Sequence, residues 1–278
     1  MRKLWMGVAL LLVAHAAFAA VQYEFIQTSR SDSDGQPPMD LSAKATLDGL
    51  KSRVDFISGN AYPPGTYVVS TDGARRLRFV DPTQKAYTEV NTLSIASALG
   101  TSSIKIENLV PVVTKLEDQQ IIAGIPTDHY RLTLTFDITV PYRNMPLRQA
   151  VRCDIDKWTT VRFGDLSDAF TANAMQTGNA SIDNLITAEL GKIRGFPLKQ
   201  TVKISVINTT TTKSPRTDSQ LKVPMTRTLT REMTVMTISE KKVDDAIFDI
   251  PAEFKRTDFS ELATKTQTQV LSLEPASK

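Results

Sequence analysis

Residues 130–140 read YRLTLTFDITV, and their alternation is unbroken. Tyr130, Leu132, Leu134, Phe136, Ile138 and Val140 fall on one side. Arg131, Thr133, Thr135, Asp137 and Thr139 fall on the other. An extended chain points successive side chains to opposite faces, whereas a helix would scatter this set around its circumference. The stretch is therefore an antiparallel strand with one apolar face. Residues 201–207 (TVKISVI) repeat the pattern through Val202, Ile204 and Val206. Residues 228–239 (TLTREMTVMTIS) extend it, with Leu229, Met233 and Val235 on one face and Met236 and Ile238 on the other.

Shorter strands are predicted in the first half: Val21–Thr28, Ser42–Leu47, Leu50–Ile57, Tyr67–Ser70, Leu77–Val80 and Ala86–Val90. Asp48-Gly49, Pro63-Pro64-Gly65, Asp72-Gly73 and Asp81-Pro82 separate them as turns. Strands joined by turns of hairpin length make a meander, so the fold class is mainly β. Three short helices are expected, over Asn91–Leu99, Ser167–Met175 and Ser181–Ile193. Only the last has a clear apolar stripe, Ile182, Leu185, Ile186, Leu190 and Ile193, and it stops at Gly195 and Pro197. Asn208–Gln220 is polar and reads as a loop between two long strands.

The first twenty residues, MRKLWMGVALLLVAHAAFAA, have Arg2 and Lys3, an apolar run and a small-x-small end at Ala17-Phe18-Ala19. They read as a cleaved export leader, too short for a membrane anchor, which needs about 20 apolar residues. Cleavage falls after Ala19 or Ala20. The expected organisation is a leader over 1–20, one β domain over 21–257 and a polar tail over 258–278. The expected location is the periplasm, as a soluble protein. Arg2 and Lys3 leave with the leader, so the net charge of +3 falls to +1. That balance has no basic excess for nucleic acid. Cys153 is the one cysteine. It alternates with Val151 and Ile155 and reads as a buried strand residue, with no disulfide to make.

The inventory for chemistry is thin. His129 is the sole histidine beyond the leader, and no G-x-S-x-G elbow accompanies it. It reads as a structural residue, and a multi-histidine zinc site has no ligands to use. Asp154 and Asp156 share a strand face, a spacing that suits calcium or acid–base work. The plainer reading is a solvent-facing row, Arg152-Asp154-Asp156, opposite Val151, Cys153 and Ile155. Asp244-Asp245 reads as turn chemistry. No nucleotide-binding glycine loop occurs and no cofactor is expected. With apolar strand faces to cover and short helices to cover them, two arrangements are open. The sheet closes on itself, or helices partly cover a cupped sheet and leave an apolar cavity.

Several segments resemble an exported bacterial family of unknown function, related to the periplasmic lipoprotein carriers of the LolA and LolB type. They are LKSRVDF (50–56), VVSTDGARRLRFVDPTQKAYTEV (68–90), IIAGIPTDHYRLTL (121–134), DIDKWTT (154–160), GFPLKQTVKI (195–204) and MTVMTISEKKVDDAIFDIPAEFKR (233–256). The resemblance implies a curved, unclosed antiparallel β-barrel with helices as a lid over its concave face, and a cavity for acyl chains. It carries over no functional residue.

The expected function is a non-catalytic binding or carrier protein for a lipid or lipoprotein acyl chain. The expected cavity wall is Leu132, Leu134, Phe136, Ile138, Val202, Ile204, Val206, Met233 and Val235. The expected lid is Ile182, Leu185, Ile186, Leu190 and Ile193. The alternative is an envelope interaction or sensor module that binds a protein through the 208–220 loop and the tail. An enzyme would have to rely on His129 or on Asp154 and Asp156.

Overall fold

The computed structural model describes residues 20–32, 37–92, 105–142, 145–163, 180–208, 212–213, 220–221 and 226–258. The leader, the tail beyond 258 and the expected helices at 91–99 (from 93 onward) and 167–175 lie outside these residues.

The chain enters as a meander of β1 (Ala20–Ser31), β2 (Met39–Asp48), β3 (Lys51–Gly59), β4 (Tyr67–Ser70), β5 (Arg76–Asp81) and β6 (Ala86–Asn91). Each strand pairs antiparallel with the next. The turns form where the sequence marks them. Gly49 and Gly73 take positive φ, and the Asp81 carboxylate accepts from the amides of Thr83 and Gln84. A second meander follows, with β7 (Lys105–Ile122), β8 (Ile125–Tyr142), β9 (Met145–Thr160) and β10 (Phe196–Asn208). The helix α1 (Ala180–Leu190) lies between β9 and β10 in sequence. It is shorter than the expected 181–193 at its C-terminal end, where the amides of Lys192 and Ile193 turn back onto Glu189 and Leu190.

The expected 208–220 loop contains structure of its own. β11 (Thr212–Lys213) pairs with β12 (Gln220–Leu221) as a separate two-stranded sheet, and the residues between lie outside the described set. β13 (Thr226–Lys241) then joins the two meanders, pairing with β1 on one side and β10 on the other. A 3-10 turn, Asp245–Phe248, leads to β14 (Lys255–Thr257), which pairs with β6 in parallel.

The result is one mainly antiparallel, curved sheet of twelve strands, ordered β14-β6-β5-β4-β3-β2-β1-β13-β10-β9-β8-β7. Its ends, β14 and β7, are not paired to each other, so the barrel is unclosed. Alternation in the sequence does not reveal β7. Its register shifts between Glu107 and Val110 and again between Leu116 and Gln120. Each bulge resets the period of two on which such a reading depends.

Separate apolar clusters hold the sheet. Val21, Leu47, Trp158, Phe196, Leu198 and Val235 pack with Ile122, Ile125 and Phe163 near the middle strands. Phe248, delivered by the 3-10 turn, packs on Tyr67, Val69 and Val80 over the N-terminal meander. That turn is capped as its Asp-Asp sequence implies: the Asp244 carboxylate accepts from the Ala246 amide, and Asp245 pairs with Lys51 at 2.8 Å. A third cluster, under α1, is described next.

Candidate ligand face

The register aligns apolar residues across three strands of the C-terminal meander. Leu132 faces Ile155, which faces Val202; Leu134 faces Cys153, which faces Ile204. Leu132, Leu134, Cys153 and Ile155 are buried, and Val113, Phe136, Val202 and Ile204 pack against them half-buried. Leu190 and Ile193, at the end of α1 and just past it, cover this patch. Leu190 and Ile193 are half-buried and Ile186 is buried, and this apolar side seats the helix on the sheet.

Most of the expected wall assembles here: Leu132, Leu134, Phe136, Val202 and Ile204 belong to one patch. Ile138 and Val206 are half-buried farther along the same strand faces. Met233 and Val235 do not join them. They pack with Val21, Phe196 and Leu198 in the neighbouring cluster. Near these residues the β10–β9 and β1–β13 ladders each shift register, and the apolar surface is divided at that place. Of the expected lid, Leu190 and Ile193 touch the patch, Ile186 is buried and Ile182 is half-buried. Leu185 is 49% exposed and belongs to the outer side. The stripe that counts runs 182, 186, 190, 193, a narrower set than expected.

The patch is buried at Leu132, Leu134, Cys153 and Ile155 and only half-buried beyond them, toward Phe136, Ile138 and Val206. One cavity of about 310 Å³ lies near that end but on the reverse of the sheet: Thr135, Asp137, Ala150, Arg152 and Ile207 of its lining alternate with the apolar row. Of the expected wall it touches Phe136 alone, so it does not continue the apolar patch. Cys153 is buried and free, and burial pushes its thiol up to about 11. It is an apolar packing residue.

The opposite face is polar and ordered. Asp154 accepts from Arg152 at 2.8 Å and from the Thr133 hydroxyl at 2.8 Å. Asp156 accepts from Arg131 through Nε at 2.7 Å and Nη2 at 3.1 Å. The two carboxylates do share a face, as their spacing implies. Asp156, however, is not solvent-facing: its side chain is only 16% exposed because His129 and Arg131 cover it. His129 is 4% exposed. Its Nε2 lies 3.0 Å from Asp156, and its Nδ1 lies 2.7 Å from Asp118. His129 also stacks on Trp158, over which Lys199 Nζ stands 4.5 Å from the ring centroid. Asp118 escapes a reading of the sequence because the β7 bulge brings it into place. Among the described residues no group of histidine, cysteine or carboxylate side chains is arranged to hold a metal.

No family model and no curated protein matches the chain. Among solved structures, the LolA superfamily protein NE2245 from Nitrosomonas europaea is similar over 83% of this chain and 90% of that one. The identity is 10% and the TM-score 0.30. Among the described residues no helix is long and apolar enough to cross a membrane.

Proposed function

We propose that this protein binds a hydrophobic ligand, a lipid or an acyl chain, on the apolar face that α1 partly covers, and that it does so as a non-catalytic carrier exported to the periplasm. One observation carries the reading. The apolar surface continues past the helix, from buried Leu132 and Leu134 to half-buried Phe136, Ile138 and Val206. An apolar strip that leaves its own cover is a surface for something else to cover.

The energetics are adequate. An acyl chain of about 14 methylenes gains roughly 11 kcal/mol gross on burial, at about 0.8 kcal/mol each. Association and ordering consume much of this and leave a reversible complex, as a carrier requires. The carboxylates that could serve an enzyme are engaged with Arg152, Arg131 and His129, which fits a structural role for that face.

The test is organic extraction of the purified protein followed by mass spectrometry. Co-purified lipid in stoichiometric amount is the expected result, and an extract no richer than that of an unrelated exported protein counts against the reading.

A further inference from the structure

A sheet that does not close exposes edge strands, and an edge strand is a template for another chain. The edge at β14 is three residues long. The edge at β7 is 18 residues long, ample for pairing with a second copy of this protein. Along β7, alternate amides point toward β8 and away from it. The Val113 amide donates to Glu189 Oε2 at 3.0 Å, so it points outward, to α1 rather than to β8. Two residues earlier, in the same phase, stands Pro111, which has no N–H to offer. Consecutive outward positions in the middle of this edge are therefore closed by different means. One lacks a donor, and in the other the donor is occupied.

Glu189 is held for this task. Its second carboxylate oxygen accepts from Lys192, and that contact keeps the group below the usual carboxylate range, hence an ionised acceptor. Leu190, the next residue, is anchored in the apolar patch. The helix thus carries the carboxylate to the strand edge on a fixed base.

We infer that Glu189 and Pro111 together close the β7 edge against strand addition by a second copy of this chain, with α1 as the edge cover. The inference concerns the backbone edge and stands whether or not the apolar face takes a ligand. Pairing of two such edges would be antiparallel about a two-fold axis, which puts the same stretch of β7 on both sides.

The experiment combines amide hydrogen exchange with light scattering on the full exported protein. In wild type the Val113 amide is protected. Glu189→Ala raises its exchange about tenfold, in line with loss of a charged hydrogen bond, while Glu189→Gln, which keeps an acceptor, stays near wild type. In Glu189→Ala/Pro111→Ala the mass rises with concentration, and wild type shows no such rise. Unchanged Val113 protection in Glu189→Ala, or a double variant whose mass behaves as wild type, overturns the inference. Pro111→Ala alone leaves the helix untouched and guards against a misfolded variant. Its new amide at position 111 exchanges rapidly if it points outward, and strong protection there overturns the assignment.

Discussion

His129 lies flat against Trp158, with ring centroids 4.1 Å apart and planes 15° apart. Its ring nitrogens meet Asp118 of β7 and Asp156 of β9, so one imidazole on β8 ties three strands together. Replacing it with leucine removes both contacts, leaving Asp156 with Arg131 alone and Asp118 without its partner on β8. We expect His129→Leu to cost about 1–3 kcal/mol in urea unfolding. In protein beginning at Val21, Trp158 is the sole tryptophan, so its emission reports on this stack directly. An unfolding midpoint equal to wild type would show that the contacts contribute nothing.

Acid acts on the same polar face through Asp154. Hydrogen bonds from Arg152, then from Thr133, hold its carboxyl below the usual range. Asp118 is lowered too, chiefly by its contact with His129. A folded-state pKa below the unfolded one means stabilisation that is present above the unfolded pKa and lost as pH falls through the folded one. The stabilisation from Asp154 and Asp118 should therefore be fully present above about pH 5, with the melting temperature dropping below about pH 4, near the unfolded carboxylate value. Asp154→Asn should flatten that drop. Identical pH profiles for variant and wild type would contradict the assignment.

Cys153 should resist alkylation. Burial, then the neighbouring charge of Asp154, raises its thiol from 9.0 to about 11, which cuts the thiolate fraction about 100-fold before access is considered. Native protein should stay unlabelled by iodoacetamide at pH 8, and urea should restore full labelling. Rapid labelling of folded protein would place the thiol outside the patch beneath Leu190.

Gly195 ends the helix-to-strand connection with φ +91°, and an added Cβ would lie 2.5 Å from the Thr160 carbonyl oxygen. Gly195→Ala should destabilise by about 3 kcal/mol or more, from strain and backbone collision together. Gly49 also has positive φ but open space around it, so Gly49→Ala should cost only about 1 kcal/mol. Equal losses at both sites, measured by denaturant titration, would refute the close approach at Thr160.

β8 pairs with β9 from Asp128 to Tyr142 without a register shift, and its alternation is plain to read. β7 carries two bulges and a left-handed Asn108, so its side chains change face within the strand. The same cause hid Asp118 and, with it, the site that His129 occupies. Leu132, Leu134, Val202 and Ile204 could be gathered from alternation alone. Met233 and Val235 share that alternation but pack elsewhere, because a period fixes the face of a strand and not the neighbour it meets. Leu185 fails for a related reason: helical spacing admits it to the stripe, and only the angle at which α1 sits excludes it.

The most direct measurement is a titration of delipidated protein with a fluorescent fatty acid, set beside the double variant Phe136→Glu/Val206→Glu. Both positions are half-buried, so the variant loses some stability, and its cooperative unfolding is measured first to establish that it is folded. Saturable one-to-one binding by wild type, abolished in the folded variant, is the predicted result. Absence of saturable binding to wild type, or equal binding by both proteins, would contradict an acyl-binding face beside α1.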